Sequence, residues 1–143
     1  MVILSEAVCD LQERSAAAVL YERLRPLAGQ ADALSVMLAS SGSYALYCGL
    51  LAAFLGRWDD AERHFADALA MNERLGARPY VVRTRRAWAA MLLDRHDPSR
   101  SGDRERAAAL IAAGLAEAEP LGMAREVVRL QRLRERLVGA SAG

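Results

Sequence analysis

Apolar residues recur along this chain at intervals of three and four, and no stretch alternates apolar with polar positions for long enough to read as a strand. The pattern predicts an all-α fold. Breakers divide it: Pro26 with Gly29, Ser40-Ser41-Gly42, Gly56, Gly76 with Pro79, the run from Asp97 to Asp103, and Gly122. Between them the spacing predicts helices over about 5–25, 31–39, 43–55, 59–75, 79–94, 103–120 and 123–138. The stretch from Gly56 to Leu69 is the most explicit. Gly56 ends one helix and Asp59 caps the next, where Ala61, Phe65, Ala68 and Leu69 share one face. Small side chains on that face let a neighbouring helix cross closely while Phe65 fills the gap beside it.

The chain also repeats itself. A shift of 46 positions lays Gly56 on Gly102, Ala61 on Ala107, Phe65 on Ile111, Leu69 on Leu115, Ala70 on Ala116, Leu75 on Leu121 and Gly76 on Gly122. The match runs into the following helix, where Val81-Val82-Arg83 falls on Val127-Val128-Arg129 and Arg86 on Arg132. A period in this range is the mark of stacked helical hairpins, each of which buries one face only against its neighbour.

These residues resemble the tetratricopeptide repeat. Gly49, Gly56, Ala61, Phe65 and Ala68 stand at the glycine, small-residue and aromatic positions of that motif, whereas Ala45, Ala52 and Glu73 replace its Trp, Tyr and Pro. More narrowly, three phrases are similar to the tetratricopeptide region of actinobacterial LuxR-type and adenylate-cyclase-linked ATPase regulators. They are Leu55-Gly56-Arg57-Trp58-Asp59-Asp60-Ala61-Glu62-Arg63-His64-Phe65, Asn72-Glu73-Arg74-Leu75-Gly76-Ala77-Arg78-Pro79 and Gly102-Asp103-Arg104-Glu105-Arg106-Ala107. The resemblance covers about two-thirds of the chain, from about Tyr21 to Met123. It implies a right-handed α-solenoid of about three hairpins in one domain spanning 1–143. Residues 5–39 form a divergent first hairpin, 43–75 the best unit, 79–120 a second unit with a long loop at 96–102, and 123–138 a capping helix. The ATPase module and a terminal helix-turn-helix do not occur in the sequence, so the expectation is a fragment of such a regulator or a free-standing relative.

Composition narrows the chemistry. The 143 residues include 53% hydrophobic and 26% charged side chains, enough for a core without disulfides or a metal. All nineteen basic residues are Arg, against eighteen Asp and Glu, for a formal charge of +1; on that basis no global field draws the chain to nucleic acid or an anionic membrane. No apolar run approaches the ~20 residues of a bilayer span, and the N-terminus lacks a secretory pattern, so the expected location is cytoplasmic. Cys9 and Cys48 lack metal-type spacing and lie in apolar stretches, and His64 and His96 stand apart, so neither a triad nor a zinc site is expected. No Gly-rich phosphate loop occurs. The expectation is a non-catalytic module with no cofactor and no metal.

Binding residues are sought on the inner helices that the resemblance assigns to the concave wall. Arg83 and Arg86 share a face, and their repeat mates are Arg129 and Arg132; together they form two arginine rows suited to carboxylates of an acidic protein or peptide partner. The alternative is ordinary ion pairing with Asp59, Asp60, Asp67 or Glu73. Tyr44 and Tyr47 share a face of the helix after Gly42 and complete the candidate set, with burial in the bundle as their alternative. In the last helix Arg125, Arg129, Arg132 and Arg136, spaced four, three and four, form one stripe, either a docking strip or the solvated face of a cap helped by Glu126 and Glu135. The functional expectation is a regulatory scaffold that holds a protein segment or effector and relays to an ATPase, cyclase or transcription factor. The competing expectation is a structural module that dimerises through an open solenoid end.

Overall fold

The computed structural model describes residues 5, 7, 13–28, 43–95, 97 and 99–141. Among them six α-helices occur and no strand: α1 (Arg14–Leu24), α2 (Tyr44–Phe54), α3 (Trp58–Arg74), α4 (Arg78–Asp94), α5 (Asp103–Ala118) and α6 (Ala124–Ser141), with a short 3₁₀ turn at Arg25–Leu27. The predicted helix at 31–39 lies outside the described residues. The chain divides into two compact units, Met1–Ala77 and Arg78–Gly143.

In the first unit α2 is apolar almost all round, and it is buried accordingly, at Ala45, Leu46, Tyr47, Cys48, Gly49, Leu51 and Ala52. It packs on α1 and on α3. Ser43 caps it, its Oγ accepting from the Ala45 amide at 3.1 Å. The Ser43 amide in turn donates to Asn72 Oδ1 near the end of α3, at 3.2 Å. That bond joins the start of one helix to the end of the other. In mid-hairpin the predicted face of α3 is the buried one, with Ala61, Phe65 and Ala68 all at 0% exposure. The close crossing is made at Gly49, where an added Cβ would stand 2.7 Å from the Phe65 ring.

In the second unit α4 packs on α5, and α6 packs on both. Pro79 is tolerated near the start of α4 because amides of a first turn have no partner within the helix. The core of α5 repeats the pattern of α3, with Ala107, Ile111, Gly114 and Ala118 buried. Leu130 and Leu133 of α6 close the core.

The shift of 46 is visible in the backbone. Gly76 and Gly122 adopt left-handed φ of 63° and 68°. At each, the glycine amide bonds the carbonyl three residues back at 3.1 Å (Glu73, Glu119), and the next amide bonds the carbonyl five back (Asn72 at 2.9 Å, Ala118 at 3.0 Å). This is the Schellman closure of a helix. Gly56 closes α2 in the same way, at φ 77°, but its sequence mate Gly102 has φ −81° and precedes α5 as its N-cap. The longer connection before α5 accounts for the difference, since the shift aligns helix starts there and not helix ends.

Two boundary expectations are corrected. Asp59 does not cap α3; Arg57 holds the N-cap position, and Asp59 and Asp60 sit in the first turn, where their charge complements the helix dipole. Helix α5 stops at Ala118, not at 120, because Pro120 has no amide with which to continue the ladder.

Candidate functional site

The arginine rows meet on α4 and α6. Arg86 Nε donates to Glu126 Oε2 at 2.5 Å, and Arg129 Nη1 reaches the other oxygen of the same carboxylate at 3.3 Å. Glu126 is only 5% exposed, so a carboxylate already fills the space between these two arginines. The pairing alternative therefore describes Arg86 and Arg129; Arg129 meets Glu126, an acid expected beside the α6 stripe, whereas Arg86 meets that same acid in place of Asp59, Asp60, Asp67 or Glu73. Arg85 and Arg78 likewise share Glu117 of α5, at 2.7 and 3.0 Å. Arg83 lies with its guanidinium 5.4 Å from the Tyr80 ring centre, and Arg132 is exposed. Tyr44 is partly buried, whereas Tyr47 is 2% exposed, with its ring in the core and not on a surface.

The stripe on α6 runs beside α4. Arg136 pairs with Asp94 of α4 at 2.8 Å, as Arg129 reaches the acid that Arg86 holds, so this flank of α6 faces the outer edge of α4. Arg83, Arg86, Arg125, Arg129, Arg132 and Arg136 thus border one surface of the α4–α6 pair, answered there by Asp94 and Glu126. The excess charge has a larger context. Residues 78–143 carry thirteen Arg against eight Asp and Glu, and residues 1–77 carry six Arg against ten. The formal +1 of the chain is the remainder of about +5 in one unit and −4 in the other. The signal was present in the sequence, and counting by halves would have found it.

No protein-family model, curated protein or solved structure matches this chain.

Two further clusters were not anticipated. At the far end of the second unit a cavity of about 680 Å³ is lined by Leu92, Leu93, Arg100, Arg104, Arg136 and Gly139, above the Arg95–Asp103 pair. That pair is bidentate, with contacts of 2.9, 2.9 and 2.8 Å, and its side chains are 3% and 10% exposed. It joins the end of α4 to the first residue of α5 and so shuts the long loop between them. In the first unit the buried Tyr21 lies between Arg57, whose guanidinium stands 4.5 Å over the ring, and His64, which meets it edge-on at 5.7 Å. The Tyr21 hydroxyl lies 3.1 Å from His64 Nε2. Burial holds the His64 ring below its ordinary pKa and pushes the Tyr21 hydroxyl above its own. Asp60 is pushed up by partial burial, yet hydrogen bonds from Arg63 and Arg57 outweigh this and hold its carboxyl low.

Cys48 is fully buried, and desolvation pushes its thiol up to about 12; Cys9 and His96 lie outside the described residues. Among the described residues no group of three or more His, Cys, Asp or Glu is placed to hold a metal ion, and no helix is long and apolar enough to cross a membrane. Trp88 is only partly buried; its Nε1 is covered and, among the described residues, has no hydrogen-bond partner, and Arg106 stands over the ring at 5.7 Å.

Proposed function

We propose that the chain is a non-catalytic binding scaffold of the tetratricopeptide kind, in which the hairpins stack as a right-handed α-solenoid. Its α4–α6 surface would receive an acidic protein segment. The observation that carries the partner chemistry is the arginine surplus there: six guanidinium groups are answered locally by two carboxylates, one of them buried. Clustered guanidinium groups favour carboxylates because each offers paired donors in a planar fork. Support for the repeat reading comes from the Gly49–Phe65 crossing and from the identical closures at Gly76 and Gly122. By the sequence resemblance, the module would serve a bacterial transcriptional regulator or signalling ATPase in the cytoplasm.

Arg83 and Arg132 are the informative positions, since Arg86 and Arg129 already hold Glu126. Fluorescence anisotropy with a labelled poly-glutamate peptide on dilute protein should show saturable binding that weakens with salt. In Arg83→Gln/Arg132→Gln the affinity should fall about 10-fold, about 1.4 kcal/mol. Equal affinity in the variant, or no binding at low salt, overturns the assignment.

A further inference from the structure

We propose that the cavity beside the Arg95–Asp103 pair binds a small monoanionic carboxylate with a short aliphatic tail, its head among Arg100, Arg104 and Arg136 and its tail on Leu92 and Leu93. All of these residues belong to the second unit, on α4, α5, α6 and the connection between α4 and α5. The volume of about 680 Å³ falls in the range of small-molecule sites, which join an apolar lining to a few convergent polar groups.

Charge selects the head group. Four of the described lining residues are arginines, Arg95, Arg100, Arg104 and Arg136, and two are acids, Asp97 and Asp103. Arg95 and Asp103 neutralise each other in their bidentate pair. Arg100 lies 3.4 Å from Asp97, and Arg136 reaches Asp94 at 2.8 Å. With Asp94 counted beside the lining, four guanidinium groups face three carboxylates, a surplus of one positive charge, which matches a carboxylate better than a dianionic phosphate. The contacts already made orient the arginines. Arg104, for example, donates to the Leu137 carbonyl at 2.6 Å, which holds its side chain against the end of α6. A guanidinium carries five N–H donors, so a bond to one acceptor fixes its plane and leaves it able to serve a second.

Gly139 leaves the wall of the cavity open. It lies inside α6, where glycine is among the weakest helix formers. At Gly49 and Gly114 an added Cβ would meet Phe65 at 2.7 Å and Leu130 at 3.1 Å, so close packing explains those helical glycines. At Gly139 an added Cβ meets no described atom within 4 Å. Packing does not require glycine there, and its effect is a stretch of cavity wall without a side chain. The tail of the ligand then rests on Leu92, which is 2% exposed, and on the partly buried Leu93.

This site goes beyond the scaffold reading and does not use Arg83 or Arg132, so the peptide titration tests that reading separately. Isothermal titration calorimetry of the full chain with sodium octanoate tests the site. One-site saturation is expected, with a Kd below about 1 mM. Acetate, a head without a tail, and octan-1-ol, a tail without a charge, should each bind at least about 10-fold more weakly. Arg104→Gln should lower octanoate affinity about 10-fold. Gly139→Leu fills the cavity while supplying a better helix former, and should abolish saturable binding. Far-ultraviolet dichroism shows whether each variant is folded; if one is not, the other variant and the analogues still decide. No saturation with octanoate up to about 10 mM overturns the proposal. So does octan-1-ol binding as tightly as octanoate, octyl phosphate binding more tightly, or undiminished affinity in Gly139→Leu.

Discussion

Replacing Asp103 with Leu should be among the most damaging single changes in the second unit. It would leave the Arg95 guanidinium, 3% exposed, without the carboxylate that takes three of its contacts within 2.9 Å. Removing one partner of a buried pair costs about 3–5 kcal/mol, mostly because the remaining charge stays desolvated. Asp103 also opens α5, where a negative charge faces the positive end of the helix dipole, a further contribution of about 0.3–1 kcal/mol. For a chain of this length about 4 kcal/mol lowers the melting temperature by roughly 8–16 °C. Arg95→Met alone should be less harmful, since Arg106, 3.6 Å away, and the start of α5 still answer the carboxylate. The double variant Arg95→Met/Asp103→Leu removes both charges and keeps apolar volume, and should return to within about 1 kcal/mol of wild type. Urea and thermal melts followed by circular dichroism on the four proteins give the coupling energy. A single-variant loss below about 1 kcal/mol, or a double variant as unstable as the sum of the singles, would refute the claim that this pair holds the loop shut.

Three further outcomes follow from contacts described above. Gly49→Ala should destabilise the first unit by about 1–3 kcal/mol despite its better helix propensity, because the Phe65 ring 2.7 Å away is fully buried and cannot swing aside; Phe65→Leu should relieve part of the loss in a double-mutant cycle followed by urea melts. Burial keeps His64 below its ordinary value of 6.5, so the unfolded chain takes up a proton first as pH falls. Stability should be full above pH ~6.5 and decline below it toward the depressed value, and His64→Gln should flatten that slope in melts across pH. Cys48, with its thiol raised to about 12 and no exposed surface, should react with a disulfide reagent only at the rate of unfolding; prompt labelling in native buffer would contradict its placement.

Much of the fold was legible because helical periodicity and glycine chemistry are local. The face of Ala61, Phe65 and Ala68 is the one that α3 buries, and Gly56, Gly76 and Gly122 close the helices they follow. Less legible was anything set by partners distant in sequence. Glu126 stands three residues from Arg129, so that pair is local, but nothing local says that Arg86, forty residues earlier, reaches the same carboxylate. Tyr47 shares a helical face with Tyr44 in register, yet α2 is covered on nearly every side, so one tyrosine is core and the other is not. The Tyr21–His64 contact joins α1 to α3 across 43 residues, and no spacing rule reaches that far. The charge division is a different kind of miss, since it needed only a domain boundary near Ala77 to become visible.

That division has a practical face. A chain whose two units carry opposite sign behaves on a column as two proteins tethered together. Near its isoelectric point of about 7.8 this chain should be retained at low ionic strength by sulfonate resin through residues 78–143 and by quaternary-amine resin through residues 1–77, and its bulk pI would forecast neither.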